Sequence, residues 1–363
     1  MTINSYIKWF GKYTFSQRPL GPVDFLILAE LSMLSFEPVL NGKESIKLKD
    51  IDPEKIPDEM VEDSPDRRFN KRQLKEMILS KRFKNLEVKY VKRIFSEENS
   101  NQFYAITIVF PNGNLYISYR GTDITMVGWK EDFIIAQQDT FLAQEQAVEY
   151  LKDVLNKESG RFYIGGHSKG GNIGLYAAFH LAEEEAERFI HGFSFDGPGM
   201  RKDMKELPAY PYVIDKMTKY RTYNNIIGAV YNQFEQYKVV HSTGLLLGGH
   251  DVYYWQINPI TGDFLYAKDV SSLSKKYADR FMQWVESLPI EDRKLASDTL
   301  FVVFNDCKDV YDLAKKGPKD LINIKKSLAT YPIEDQKKLK SIFKTLLKYL
   351  FVFNKETKQI EQK

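Results

Sequence analysis

Cysteine is nearly absent from this 363-residue chain: Cys307 stands alone, so no internal disulfide and no thiolate metal cluster can form. Such a chain suits a reducing compartment, and a cytoplasmic location is expected. Long apolar runs are missing too. The best stretch, Leu346 to Phe353, is far shorter than the roughly 20 apolar residues of a membrane-spanning helix and contains Lys348. At the N-terminus Ile7, Trp9 and Phe10 are broken by charge, without the apolar core or small-residue cleavage site of a signal peptide. No sign of charge dominates, because 52 Lys and Arg against 49 Asp and Glu leave +3, too mild for a nucleic-acid-binding surface. A Gly-x-x-x-x-Gly-Lys phosphate loop, a paired-histidine metal motif and a calcium loop are also lacking, so neither cofactor nor metal is expected.

What is present is enough to fill a large core: 43% hydrophobic and 14% aromatic residues, with 28% charged. The length exceeds the usual single domain, which implies one large domain and an appendage. Apolar residues at helical spacing predict a helix over Val23 to Phe36, capped by Asp24 and ended by Pro38. A proline-rich acidic connection follows over 50–66, then a helix over Lys71 to Lys84. Gln102 to Phe110 and Asn114 to Tyr119 flank Pro111-Asn112-Gly113 and read as a hairpin. A helix over Leu142 to Lys157 precedes a strand over Phe162 to Ile164, a helix over Asn172 to Ala186 and a strand over Ile190 to Phe195. Further strands are expected at Tyr220 to Tyr223, Tyr237 to Val240, Tyr253 to Ile257 and Phe264 to Ala267. This alternation predicts an α/β domain with a mostly parallel sheet covered on both faces, spanning residues 1–269.

Residues 270–363 are expected to form a helical bundle. Their 19 Lys and Arg against 13 Asp and Glu make a basic surplus, read first as a solvated face. Peripheral contact with a membrane surface or an acidic partner is the other reading. Pro289-Ile290-Glu291-Asp292 recurs as Pro332-Ile333-Glu334-Asp335, each copy suited to the first turn of a helix.

Gly166-His167-Ser168-Lys169-Gly170 sits between an apolar strand and an Ala- and Leu-rich helix. Strand, Gly-x-Ser-x-Gly, helix is the setting of a nucleophile elbow, where the turn is too tight for side chains beside the serine. A glycine-rich turn with an incidental serine is the bland alternative; both flanks favour the nucleophile. A serine nucleophile needs a base, and there are five histidines. His167 diverges from Ser168, and His180, His191 and His241 have structural places. His250 follows a glycine-flanked loop late in the sheet and is the candidate base. Asp196 closes the strand after the elbow helix and is the candidate acid. The amide of Lys169 and the amide and hydroxyl of Thr122 are candidate oxyanion donors. Arg120 reads as a structural ion-pair residue tying that loop down.

Tyr119-Arg120-Gly121-Thr122-Asp123, the following Trp129 and Asp132, and Gly-His-Ser-Lys-Gly-Gly-Asn over 166–172 resemble the class-3 lipases of the α/β-hydrolase superfamily. With Phe195-Asp196-Gly197-Pro198-Gly199 and the block His250-Asp251 to Trp255, they resemble most closely a bacterial family of lipase-like proteins. The resemblance runs from about residue 20 to about 268, including the early helix. It implies an α/β-hydrolase fold, Ser168 as nucleophile, His250 as base, and Thr122 with Lys169 as oxyanion donors. One departure stands out. Class-3 lipases carry their acid after the next strand, where this chain has Asn224-Asn225-Ile226-Ile227-Gly228. Asp196 taking over, Asn225 orienting the ring without charge, and an incomplete triad are the three readings, with Asp196 preferred.

The function expected is cleavage of acyl or lipid esters through an acyl-enzyme. Trp129, Phe133, Ile134, Leu245 to Leu247 and Tyr253 would line an acyl site or else belong to the core, and Ile124 to Gln137 would form a cover. A hydrolase fold retained as a binding or scaffold module, and a thioesterase or acyltransferase, are the alternatives. Neither the natural substrate nor the oligomeric state is legible.

Overall fold

A computed structural model of the chain describes residues 1–62, 67–123, 131, 135, 138–231, 234, 236–244, 247–303, 329 and 331–351. Cys307, Trp129, Asp132, Phe133, Ile134, Leu245, Leu246 and nearly all of the expected cover lie outside them.

Among these residues nine strands form one sheet: β1 Ser45–Lys47, β2 Glu87–Ser96, β3 Asn101–Val109, β4 Leu115–Tyr119, β5 Phe162–His167, β6 Phe189–Phe195, β7 Met217–Thr222, β8 Lys238–Val240 and β9 Tyr266–Ala267. They lie side by side in chain order. Pairings from β4 through β8 are parallel, while β1 to β4 and the β8–β9 pair are antiparallel. The sheet is therefore mixed rather than mostly parallel. β2, β3 and β4 follow one another through connections of four and five residues, which suit antiparallel pairs, while residues 48–86 separate β1 from β2.

Helices cover both faces. On one side α1 Ile3–Phe10, α2 Pro22–Leu31 and α3 Arg67–Leu79 pack with Tyr116, Phe193, Phe195 and Trp255. On the other, α4 Leu142–Lys157 and α5 Lys169–Ala178 pack with Leu115, Ile117, Phe162 and Ile164. The period-2 alternation along β4 sends Tyr116 to one core and Ile117 to the other. In α4, Ala143, Ala147, Tyr150, Leu151 and Val154 recur at helical spacing and are buried, as the sequence pattern requires. The α/β-hydrolase architecture expected from the sequence is the one observed.

Several boundaries differ. α2 ends at Leu31, and Pro38 lies in the first turn of a separate one-turn helix, Glu37–Leu40. Asp24 lies inside the first turn of α2 rather than before it. Its carboxylate accepts from the Gly21 amide and from both Nε and Nη2 of buried Arg82, tying α2 to the chain after α3. The helix expected over Asn172 to Ala186 is two: α5 stops at Ala178, and α6 Glu183–Arg188 restarts after Glu185 accepts from the Ala182 amide. Tyr253 to Ile257 is not a strand. Val252–Tyr254 makes a 3-10 turn capped by Asp251, and only single bridges join Ser242 to Trp255 and Ile257 to Phe264.

Beyond residue 270 the described chain is helical: α7 Ser272–Ser287, α8 Ile290–Val303 and α9 Ile333–Phe351. Both repeated Pro-Ile-Glu-Asp segments open helices as expected, with Arg293 and Gln336 amides donating back to Pro289 and Pro332. Trp284 donates to Thr345, and Lys338 pairs with Asp292, joining the three helices. None of the described helices is long and apolar enough to cross a membrane.

Candidate active site

The elbow forms where β5 runs into α5. Ser168 has φ +57° and ψ −128°, a region that side-chain-bearing residues avoid at a cost of about 1–3 kcal/mol. The packing around it leaves no other path. A β-carbon on Gly166 or Gly170 would overlap the backbone of Tyr119. The Ser168 amide donates to the Phe195 carbonyl at 2.9 Å, and its own carbonyl accepts from Gly171 at 2.9 Å. These bonds fix Ser168, partly exposed, at the N-terminus of α5.

His250 reaches it from the loop after β8. Its Nε2 lies 2.8 Å from Ser168 Oγ, and its Nδ1 lies 2.8 Å from Oδ2 of Asp196. Asp196 follows the last residue of β6, is buried, and takes φ +51°. Burial alone would raise its pKa, but the hydrogen bond and charge of His250, with His167 and Asn225, outweigh this and hold it below the ordinary carboxylate value. An ionised carboxylate only accepts, so Nδ1 carries the ring hydrogen and Nε2 is left to accept from Ser168.

Asn225 also enters the site. Its side-chain oxygen accepts from the Ile226 amide at 2.8 Å, which turns its Nδ2 toward Asp196 Oδ2. That nitrogen is 3.2 Å from His250 Nδ1, but both are donors aimed at the same carboxylate oxygen. Asp196 thus faces the ring, and Asn225 braces Asp196. Thr222 supplies its amide and hydroxyl to the same carboxylate.

Gly121 abuts the elbow so closely that a β-carbon there would lie 2.8 Å from the His167 carbonyl oxygen, which brings Thr122 alongside Ser168. The Lys169 amide opens α5, where a helix has no acceptor of its own to offer. The Lys169 side chain was not singled out from sequence. It is buried and bonds Glu131 at 2.5 Å together with both oxygens of Gln102, pinning the elbow helix to β3. A lysine in a fully packed helical turn is the signal that demanded such a partner. Arg120 is buried and structural, its Nε donating to the Ser32 carbonyl and its guanidinium 3.6 Å from the Tyr104 ring centroid.

Asn172 completes the motif by donating to the Gly199 carbonyl and accepting from Gln144. Of the other histidines, His180 bonds the Tyr176 carbonyl, His191 faces Thr218 and His241 packs on Tyr223, while His167 stands beside the His250 ring. Tyr253, expected near an acyl site, packs against the α1–α2 core with its hydroxyl on Gln73.

A family model described as Mbeg1-like matches residues 77–302, more than half of the chain. The chain belongs to that family. The Mbeg1-like match takes in the elbow, Asp196, Asn225 and His250 and ends within α8. No curated protein matches this Mbeg1-like chain. Among solved structures, M37 lipase is similar at 17% identity and a TM-score of 0.33, over 47% of this chain and 64% of that one. The chain therefore spans less than two thirds of M37 lipase. A triacylglycerol lipase from Penicillium expansum is similar at 13% identity and a TM-score of 0.28, over 52% of this chain and 84% of that one. Likenesses that distant bear on neither activity nor substrate, and the fold of this Mbeg1-like chain is read from its own sheet and elbow.

Proposed function

We propose that this chain is a serine hydrolase that cleaves carboxylic esters of acyl or lipid type through Ser168, His250 and Asp196. The observation that carries the reading is the His250 ring, 2.8 Å from a hydroxyl on one side and 2.8 Å from a buried carboxylate on the other. In the reaction Ser168 Oγ attacks the ester carbonyl as its proton passes to His250 Nε2. Asp196, kept ionised, stabilises the imidazolium. The Lys169 amide and Thr122 receive the developing oxyanion. His250 then gives the proton to the departing alcohol, leaving an acyl group on Ser168. Water, deprotonated by His250, attacks that acyl-enzyme and releases the acid.

The test is hydrolysis of short and medium acyl nitrophenyl esters by the purified chain and by Ser168→Ala. The variant is expected to lose at least about 10³-fold in kcat, with loss of covalent labelling by a fluorophosphonate. Equal rates in the two proteins would remove the catalytic reading.

A further inference from the structure

Beside the Ser168–His250–Asp196 line stands a second imidazole that the reaction above does not use. His167 is mostly buried, and its ring centroid lies 4.6 Å from that of His250. Its Nε2 is 3.0 Å from the backbone carbonyl oxygen of His250. A carbonyl only accepts, so Nε2 carries hydrogen. Its Nδ1 lies 3.2 Å from Oε1 of Glu30, a buried carboxylate on α2, in an ion-pair contact rather than an aligned hydrogen bond. A neutral ring with hydrogen on Nε2 would turn the Nδ1 lone pair toward that carboxylate. Only the imidazolium offers a hydrogen to each neighbour. Burial opposes the charge, but Glu30, with Asp196 and the His250 carbonyl, outweighs it and raises the His167 pKa.

We propose that His167, held as an imidazolium by Glu30, is a positioning residue that seats the His250 loop through its backbone carbonyl. The catalytic consequence rests on the ester-hydrolase reading; the ion pair does not. The loop needs such an anchor. Gly248 and Gly249 precede His250, which closes the one-turn helix Leu247–His250. The last carbonyls of a helix lack partners within it, and a cation there is favourable. The titratable groups facing His167 are Glu30 from α2, Asp196 from β6, and His250 and Asp251 from the loop. Trp255 closes another side edge-on at 6.3 Å.

Because the folded pKa is raised, the charged ring is complete at low pH. As pH rises through that raised value the ring keeps one hydrogen, and holding it on Nδ1 toward Glu30 turns the Nε2 lone pair on the His250 carbonyl, so the seat is lost. The experiment is an NMR titration of the histidine rings, assigned with His167→Gln, beside pH profiles of kcat/KM for a nitrophenyl ester in the unsubstituted chain and Glu30→Gln. His167 is expected to titrate above the ordinary imidazole range, and Glu30→Gln to lower its midpoint by about one to three pH units. The alkaline limb of kcat/KM should move with it, as should loss of the signal from the proton between His250 Nδ1 and Asp196. A His167 midpoint at or below the ordinary value in the unsubstituted chain overturns the proposal by itself. So does an alkaline limb, or a His250 proton signal, indifferent to Glu30→Gln. Ring titration needs no turnover, so a chain that hydrolyses no ester would end the enzymatic reading while the His167 and His250 signals still decide this one.

Discussion

Gly228 lies against Asp196 with no room for a side chain: a β-carbon there would overlap carboxylate Oδ1. Gly228 belongs to the 3-10 turn Ile227–Ala229 that follows Asn225, so this turn is a wall of the carboxylate's pocket. Gly228→Ala should push Asp196 off the His250 ring without unfolding the sheet. The expected result is a fall in kcat of about 10²-fold, as for displacements near 1 Å, with circular dichroism unchanged. Unaltered turnover would mean that Asp196 does not need its observed place.

Asp196 and Asn225 converge on one another, and their substitutions should separate the partner of His250 from its brace. Asp196→Asn keeps the shape but removes the charge that fixes the ring tautomer, and should lower kcat by about 10³–10⁴-fold. Asn225→Ala removes one donor to Asp196 while Thr222 and His250 remain, and should cost about tenfold, near the 1–3 kcal/mol of a lost charged hydrogen bond. Steady-state kinetics on one ester decides the order. A larger loss from Asn225→Ala would make the asparagine the orienting group.

Lys219 lies on β7 with its amine buried, without a hydrogen-bond partner among the described residues and 5.8 Å from the centroid of the Phe234 ring. Burial, together with the neighbouring Arg221 charge, lowers its pKa from 10.5 to about 7. The unfolded chain therefore holds this proton more readily, and the penalty on folding is complete below pH 7 and fades as pH rises toward 10.5. Lys219→Met should raise the melting temperature at pH 6 and raise it less at pH 9. Thermal unfolding at the two pH values checks this; an equal or smaller gain at pH 6 would contradict the buried cation.

How much of this was legible depends on whether a segment's own pattern decides its state. α4 was readable to the residue because its buried positions keep one period and nothing interrupts them. The elbow was readable because sterics around Ser168 demand its glycines. β2 was not singled out: Lys89, Lys92 and Arg93 blur its alternation, and a bulge between Lys89 and Lys92, with Tyr90 at positive φ, shifts its register. Tyr253 to Ile257 has strand-like residues, but the Asp251 cap and the buried Trp255 settle it as a turn. Asp196 could be picked from its place at the end of a strand. The Asn225 brace, the Glu30–His167 pair and the Lys169–Glu131 pair join residues 29, 137 and 38 positions apart and exist only once the sheet is assembled.

Among the described residues, helix α7 reaches the candidate site through the segment around Asn225. The Ser274 hydroxyl on α7 donates to the backbone carbonyl of Asn225, and the Ser271 amide donates to Tyr223. Arg201, from the loop beyond Asp196, also pairs with Glu286 at the far end of α7. The appended region is therefore fastened to the segment that carries the brace of Asp196, and losing that fastening should reach the chemistry. Ser274→Ala should cost about 1 kcal/mol of stability, as for a single hydrogen bond. It should also lower kcat, by less than Asn225→Ala, with KM unchanged, since the substrate itself is not touched. Ser274→Thr, which keeps the hydroxyl, should restore most of the rate. A kcat equal to that of the unsubstituted chain in Ser274→Ala would show that the helices after residue 270 act independently of the candidate triad.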